Sequence, residues 1–312
     1  MGSTKIEWAE KTWNPVTGCT HAGTPGCDRC YAKSMATRLR GRYGYPADEP
    51  FRVTLHPERL EEPLRWKKPQ RVFVVSMGDL FHDDVPTKFV EDVFEVMSQC
   101  PQHTFLVLTK RPQDIQAKLY EQIGTSARLL GCGDFLPNVW LGVTAENQAA
   151  ADERIPLLLQ TPAAKRFVSC EPLLGSVDLT RITMNVGTVG HGTIGIVDLL
   201  AFRVLDFVIC GGETGPGARP MHPDWARKLR DDCQAAKVPY FFKQWGTGGG
   251  LGSGLPGHPL HDAGFHPGQK GGGRLLDGRE WNEAPEQLHH IAEAARLSLI
   301  ARERGGPCLT SQ

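Results

Sequence analysis

Cys19, Cys27 and Cys30 fall within twelve positions, in the run Gly18-Cys19-Thr20-His21-Ala22-Gly23-Thr24-Pro25-Gly26-Cys27-Asp28-Arg29-Cys30-Tyr31-Ala32. Three thiols on one short loop are the donor set of a metal site. A structural zinc site closes four ligands, so three leave one coordination position open. An iron–sulfur cube on three cysteines likewise keeps one iron free for another group. An open metal position is where chemistry takes place. The same loop supports other readings. His21 would complete a Cys3His zinc set, and Cys27 with Cys30 forms a C-x-x-C pair that also serves as a redox dithiol. Arg29, Lys33 and Arg38 follow closely, and a helix is expected from about Asp28. Cationic neighbours and a helix N-terminus both favour thiolate. Gly18, Gly23 and Gly26 allow the loop to close tightly around a bulky group.

The elements that must position this loop are legible further along. Arg71 to Ser76 is a short apolar run that reads as a buried strand, and Pro86 to Cys100 follows as a helix with Phe89, Val93 and Met97 on one face. The alternation repeats. A strand at Thr104–Thr109 leads to a helix from Pro112 to about Ile123, and a strand at Val139–Val143 to a helix from Gln148 to Leu159. Arg166–Ser169 is the next strand, and after a long connection comes Asp206–Cys210. The helix Pro223–Ala236 then precedes the strand Val238–Lys243. Thr12 to Thr17 is a first strand interrupted by Pro15. Near-continuous apolar strands alternating with helices indicate a parallel sheet covered by helices. About seven such units predict an α/β fold, a partial or full (β/α) barrel. Polar residues directly after the strands support it: Ser76 and Asp79; Thr109, Lys110 and Arg111; Thr144 and Glu146; Ser169 and Glu171; Glu213; Lys243 and Gln244. In a parallel barrel those positions share one rim, where active sites lie.

Three regions follow: residues 1–246 as the barrel with its N-terminal cysteine loop, 247–273 as a flexible glycine-rich loop, and 274–312 as a C-terminal extension packed on the barrel, with a helix from Pro285 to about Arg302. The 312-residue chain carries 35 basic and 35 acidic residues and no net charge, so no global field recruits nucleic acid, though a local basic surface stays open. No signal peptide and no long apolar run is visible. The expected setting is cytoplasmic and reducing, where the six cysteines outside the loop stay ordinary thiols.

The cysteine loop resembles that of the radical S-adenosylmethionine superfamily, with C-x7-C-x2-C in place of the usual C-x3-C-x2-C. Across nearly the whole chain the blocks Thr12-Trp13-Asn14-Pro15, Gly26-Cys27 with Cys30-Tyr31-Ala32, Ser76-Met77-Gly78-Asp79-Leu80-Phe81-His82, Leu108-Thr109-Lys110-Arg111-Pro112, Trp140-Leu141-Gly142-Val143-Thr144, Ser169-Cys170-Glu171-Pro172-Leu173, Gly211-Gly212-Glu213 and Phe242-Lys243-Gln244-Trp245-Gly246 are similar to an uncharacterised phage and bacterial family known by its three-Cys motif. The superfamily resemblance implies a TIM-barrel-like partial barrel. It implies a [4Fe-4S] cluster on Cys19, Cys27 and Cys30, with S-adenosylmethionine on the open iron as the source of a 5′-deoxyadenosyl radical. It also implies cofactor contacts from Ser76, Asp79, Lys110, Arg111, Thr144, Glu146, Gly211 and Gly212. Glu171, Glu213 and Lys243 are left as catalytic candidates at the substrate mouth. The implied partners are an external electron donor of flavodoxin or ferredoxin type, a nucleotide or nucleic-acid substrate for modification or repair, and a genetically linked protein. No membrane partner is expected. The competing readings are a zinc-stabilised Cys3His binding protein without catalysis, and a metal-dependent hydrolase or nuclease built on Asp79, Glu171 and Glu213.

Overall fold

A computed structural model describes residues 6–121, 136–185, 194–249 and 253–285. The chain enters through β1 (Lys11–Trp13) and β2 (Val16–Thr17), crosses the cysteine loop into α1 (Tyr31–Arg38), and pairs β3 (Thr54–Leu55) back on β2. Strand and helix then alternate: β4 (Arg71–Val74), α2 (Thr87–Ser98), β5 (Thr104–Thr109), α3 (Gln113–Gln116), β6 (Val139–Thr144), α4 (Gln148–Leu159) and β7 (Lys165–Cys170). An antiparallel hairpin of β8 (Ile182–Asn185) and β9 (Ile194–Val197) fills part of the long connection. Next come β10 (Phe207–Gly211), α5 (Pro223–Ala236) and β11 (Tyr240–Gln244). The described chain closes with α6 (Pro259–Asp262) and the small hairpin of β12 (Leu275–Leu276) and β13 (Arg279–Glu280).

β1, β4, β5, β6, β7, β10 and β11 form one sheet in that spatial order, every neighbouring pair parallel. A sheet whose spatial order equals its chain order winds one way, so all its helices land on one face. The buried residues divide accordingly. Val72, Val107, Val143, Val168 and Tyr240 share a core with Phe89 and Val93 of α2, Ile155 and Leu158 of α4, and Leu229 of α5. The opposite side chains, Phe73, Leu106, Trp140, Phe167, Ile209 and Phe241, make a second core, closed by Trp8 and Ala9 from the N-terminal segment. The result is an open, partial (β/α) barrel with an aromatic floor inside and aliphatic packing outside.

The helices Gln148–Leu159 and Pro223–Ala236 have the predicted bounds. β4 stops two residues short of Ser76. Val75 turns to φ +54° there, a conformation that is a genuine outlier for a β-branched residue. Burial and a hydrogen bond from its amide to the Trp13 carbonyl (2.7 Å) hold it. The helix expected from Pro112 becomes α3 followed by a π-helical turn at Ala117–Glu121, and the rest of that expectation lies outside the described residues. The β8–β9 hairpin was not foreseen. β8 alternates apolar and polar residues over only four positions, and β9 leaves Ile194 and Ile196 exposed.

The described part of 247–273 is threaded against the end of β11: the Trp245 amide donates to the Gly273 carbonyl (3.1 Å) and the Gly246 amide to that of Gly271 (2.8 Å). The glycines there serve close backbone approach. Residues 281–282 cover the outer edge of β11, with the Phe242 amide donating to the Trp281 carbonyl (2.9 Å). The helix expected at Pro285–Arg302 lies almost wholly outside the described residues. Among the described residues no helix is long and apolar enough to cross a membrane.

Candidate metal centre

The three cysteines sit at the carboxyl end of the parallel strands, on a loop fastened at every turn. The Gly18 amide donates to the Met77 carbonyl (2.9 Å) and that of Cys19 to the Phe51 carbonyl (3.1 Å). Arg111 donates from Nη1 to Cys19 Sγ (3.2 Å) and from Nη2 to the carbonyl and hydroxyl oxygens of Thr20 (3.1 Å each). Cys27 closes a 3-10 turn at Pro25–Cys27, and Cys30 is the N-cap residue of α1. From the first turn of α1, the Tyr31 hydroxyl donates to the Ser76 carbonyl. All three thiols keep part of their surface open. Burial pushes the Cys19 thiol up to about 11; Asp79 adds to the shift and Arg111 opposes it. Cys19 is therefore a thiol at neutral pH, and a metal that takes this position must displace its proton.

Three buried carboxylates anchor the loops. Glu146, fully buried, accepts from Thr24 Oγ1 (3.0 Å), pairs with Lys110 Nζ (2.7 Å) and accepts from Arg154 Nη1 (2.9 Å). A Cβ on Gly26 would stand 2.3 Å from Glu146 Oε1, so only glycine lets the cysteine loop lie this close. Asp79 accepts from Thr109 Oγ1 (2.7 Å) and from the amides of Lys110 (3.0 Å) and Phe81 (3.1 Å), with Arg111 Nη1 at 3.5 Å. Glu213 accepts from the Arg219 amide and Nε (2.9 Å each) and Nη2 (2.5 Å), while Arg29 approaches it at 3.5 Å. Arg219 in turn donates to the Pro25 carbonyl (2.7 Å). The loop after β1 and β2 is thereby tied to the rim loops of β4, β5, β6 and β10.

Of the residues the sequence points to, Ser76, Asp79, Lys110, Arg111, Glu146 and Glu213 are brought together as this fastening. Ser76 donates to Asn14 Oδ1 (3.2 Å). Thr144, Ser169 and Glu171 continue the inner-face alternation of Trp140 and Phe167. Glu171 accepts from Lys243 Nζ at 2.5 Å, both side chains partly open, and lies against Gly211. Gly212 marks where β10 meets β11, since a Cβ there would stand 1.8 Å from the Trp245 carbonyl oxygen. His82 is buried. Its Nδ1 accepts from the Asp84 amide (3.1 Å), so Nε2–H faces Thr20 Oγ1 (2.8 Å). Burial and Arg111 push its pKa down, which keeps it neutral.

His21 is spent elsewhere. Its Nδ1 accepts from the Gly23 amide (3.0 Å) and its Nε2 faces Asp28 Oδ1 (3.0 Å). Among the described residues no three His, Cys, Asp or Glu side chains gather to hold a single ion. Asp79, Glu171 and Glu213 are each committed to separate donors. Three soft sulfur donors on separate turns suit a cluster that offers each its own iron.

The anchors Thr24, Arg154 and Arg219 were missed from sequence. Arg154 had a readable signal, because it interrupts the apolar stripe of Ala151, Ile155 and Leu158 on α4. A charge inside a buried stripe implies a buried partner.

Acid should loosen this network. Burial by itself would raise Glu146 and Glu213. Lys110 and Arg154 outweigh it for the first, and Arg219 for the second, holding both below the usual carboxylate range. A carboxylate depressed in the folded state contributes stability above its unfolded pKa, about 4.3, that is lost as pH falls through the folded value. Thermal melts at constant ionic strength should show Tm falling steadily from about pH 5 downward. A Tm flat to about pH 3 would count against the network.

No curated protein matches this chain. A solved structure it resembles is a spore photoproduct lyase point mutant, with a TM-score of 0.36, 12% identity and 78% of each chain covered. At that score it assigns neither fold nor activity. A family match covers residues 3–285, almost the whole described chain. The protein belongs to the family described as protein of unknown function DUF5131.

Proposed function

We propose that this chain is a radical S-adenosylmethionine enzyme, with a [4Fe-4S] cluster on Cys19, Cys27 and Cys30 and the cofactor on the fourth iron. The observation that carries the reading is the position of three partly exposed cysteines at the carboxyl rim of an all-parallel partial barrel, where Thr144, Ser169 and Glu171 continue the inner face above its aromatic floor. Bound together and reduced by an external flavodoxin- or ferredoxin-type donor, cluster and cofactor supply a 5′-deoxyadenosyl radical for hydrogen abstraction. Arg111 orients Cys19 and offsets negative charge beside it. Lys110, held by Glu146 yet one-fifth exposed, is the cation suited to the cofactor carboxylate. Gly211 lies against Glu171 and Lys243, and Thr144 ends the inner face of β6. Glu171 and Lys243, already in proton-transfer contact, are the substrate-side acid and base. Glu213 acts through Arg219 as a positioning residue.

The test is anaerobic reconstitution of the full chain with iron and sulfide. The expected result is about four irons per chain, broad visible absorption, and 5′-deoxyadenosine on adding S-adenosylmethionine and reductant. One tightly held zinc per chain, no iron uptake and no 5′-deoxyadenosine would overturn the reading.

A further inference from the structure

The chain is neutral overall, but its charge is not evenly spread. From Arg29 to Ala47 there are five cations and no acidic residue. Four of them, Lys33, Arg38, Arg40 and Arg42, are exposed, and no carboxylate lies within ion-pair distance of any of the four among the described residues. Elsewhere on the surface cations commonly pair, as Lys88 does with Asp92 (2.6 Å) and Arg227 with Asp277 (2.7 Å). Exposed aromatic surface flanks these four in sequence. Tyr43 is 75% exposed and Tyr31 53% exposed.

The ridge is built rather than loose. Ala32 and Ala36 bury the inner side of α1, which turns Arg38 outward on the other side, while the partly exposed Tyr31 ring keeps its hydroxyl on the Ser76 carbonyl. Beyond α1 the chain is closed by hydrogen bonds from the Gly41 amide to the Tyr45 carbonyl (2.9 Å) and from the Tyr45 amide to the Arg42 carbonyl (3.0 Å). Arg59 donates to the Tyr43 carbonyl (2.6 Å) and, from its other nitrogen, to that of Asn14 (3.2 Å), so the tip is pinned beside β1. The ridge starts at Cys30 and runs away from the cysteine rim for the length of α1, about 12 Å for eight residues.

We infer that this ridge is a binding surface for single-stranded nucleic acid, leading a strand to the mouth of the barrel. Arginines with no carboxylate partner, Arg42 among them braced by a hydrogen bond to the Arg38 carbonyl, match phosphate oxygens with a planar two-donor fork. The exposed Tyr43 ring next to Arg42 supplies a stacking face that any unpaired base can use. A single strand fits better than a long duplex, because the cations form one short ridge on a neutral molecule. A membrane surface fits less well. Tyr31, Met35 and Tyr43 offer little apolar area to insert, and an interfacial helix needs a continuous apolar face. The inference goes beyond the cluster reading and does not need it.

The test is fluorescence anisotropy of the full chain with a labelled 20-nucleotide single strand, as DNA and as RNA, across a salt series. Four phosphate contacts predict a slope of log K against log salt of about −3. Reversing charge at R38E, R40E and R42E together should weaken binding at least tenfold, and Tyr43→Ala should weaken it about five- to tenfold with little change in slope. Lys67→Glu with Lys68→Glu, equally exposed but off the ridge, should leave it unchanged. A Cys27→Ser chain, which would disable the cluster, should bind as the wild type does, so failure of one reading is separable from failure of the other. No binding to either strand, equal loss in the off-ridge control, or binding to anionic phosphatidylserine vesicles in place of the strand would overturn the inference.

Discussion

Replacing Glu146 by alanine is expected to destabilise the protein by about 3–5 kcal/mol, the usual cost of removing one partner from a buried ion pair. The side chain is fully buried, and its two oxygens serve Lys110, Arg154 and Thr24. Arg154 is itself 1% exposed, and the substitution leaves its guanidinium in the core with only the Thr144 carbonyl as a named acceptor (2.7 Å). For a chain of this size the loss corresponds to a fall in Tm of about 5–8 °C, read by calorimetry. A second substitution separates this mechanism from general damage. Gly26→Ala places a Cβ 2.3 Å from Glu146 Oε1, so it should destabilise on its own. In the Glu146→Ala background the collision has no partner, and the double variant should be more stable than the sum of the two effects requires. Simple additivity would show that the cysteine loop does not rest on Glu146 as described.

Cys27→Ala is expected to abolish iron–sulfur loading and 5′-deoxyadenosine formation while leaving the fold nearly untouched. The loop has hydrogen bonds of its own to hold its shape. Thr24 is tied to Glu146, the Pro25 carbonyl to Arg219, the Cys19 turn to Arg111 and Tyr31 to Ser76. Cys27 is partly exposed and its sulfur has one weak contact, to Thr24 Oγ1 at 3.8 Å. Its truncation should cost within about 0.5 kcal/mol, as at other surface positions. Visible absorption, iron analysis and thermal melts on the same preparation make the comparison. A structural zinc would give the opposite pattern, because metal binding there is folding free energy. A large fall in Tm on Cys27→Ala, or on chelation of the wild type, would remove the open-cluster reading.

Much of this was written in one dimension. Apolar strand runs and amphipathic stretches are local signals, and they located six of the seven barrel strands and the helices α2, α4 and α5 close to their bounds. Three cysteines on one loop name a soft metal donor set wherever the loop ends up. Residues following parallel strands must collect at one rim, so Lys110, Glu146, Glu171, Glu213 and Lys243 could be gathered in advance as a set. Their individual duties could not. Whether a rim carboxylate meets a cofactor or a neighbouring cation depends on which loops pack together. Asp79, Glu146 and Glu213 turn out to be anchors whose donors include Thr109, Thr24 and Arg29, which lie 30, 122 and 184 positions away in sequence.

The face each strand presents was equally out of reach, since β4 and β10 are apolar on both sides. Only packing puts Phe73, Trp140 and Phe167 inside and the valines against helices. The sequence by itself determined that three thiols share one short loop and that parallel alternation carries them, because both are properties of residue type and short spacing. The tertiary structure decided that His21 turns to Asp28, that three carboxylates hold the loop and that Glu171 meets Lys243, because those outcomes rest on which distant groups are close enough to share a proton or a charge.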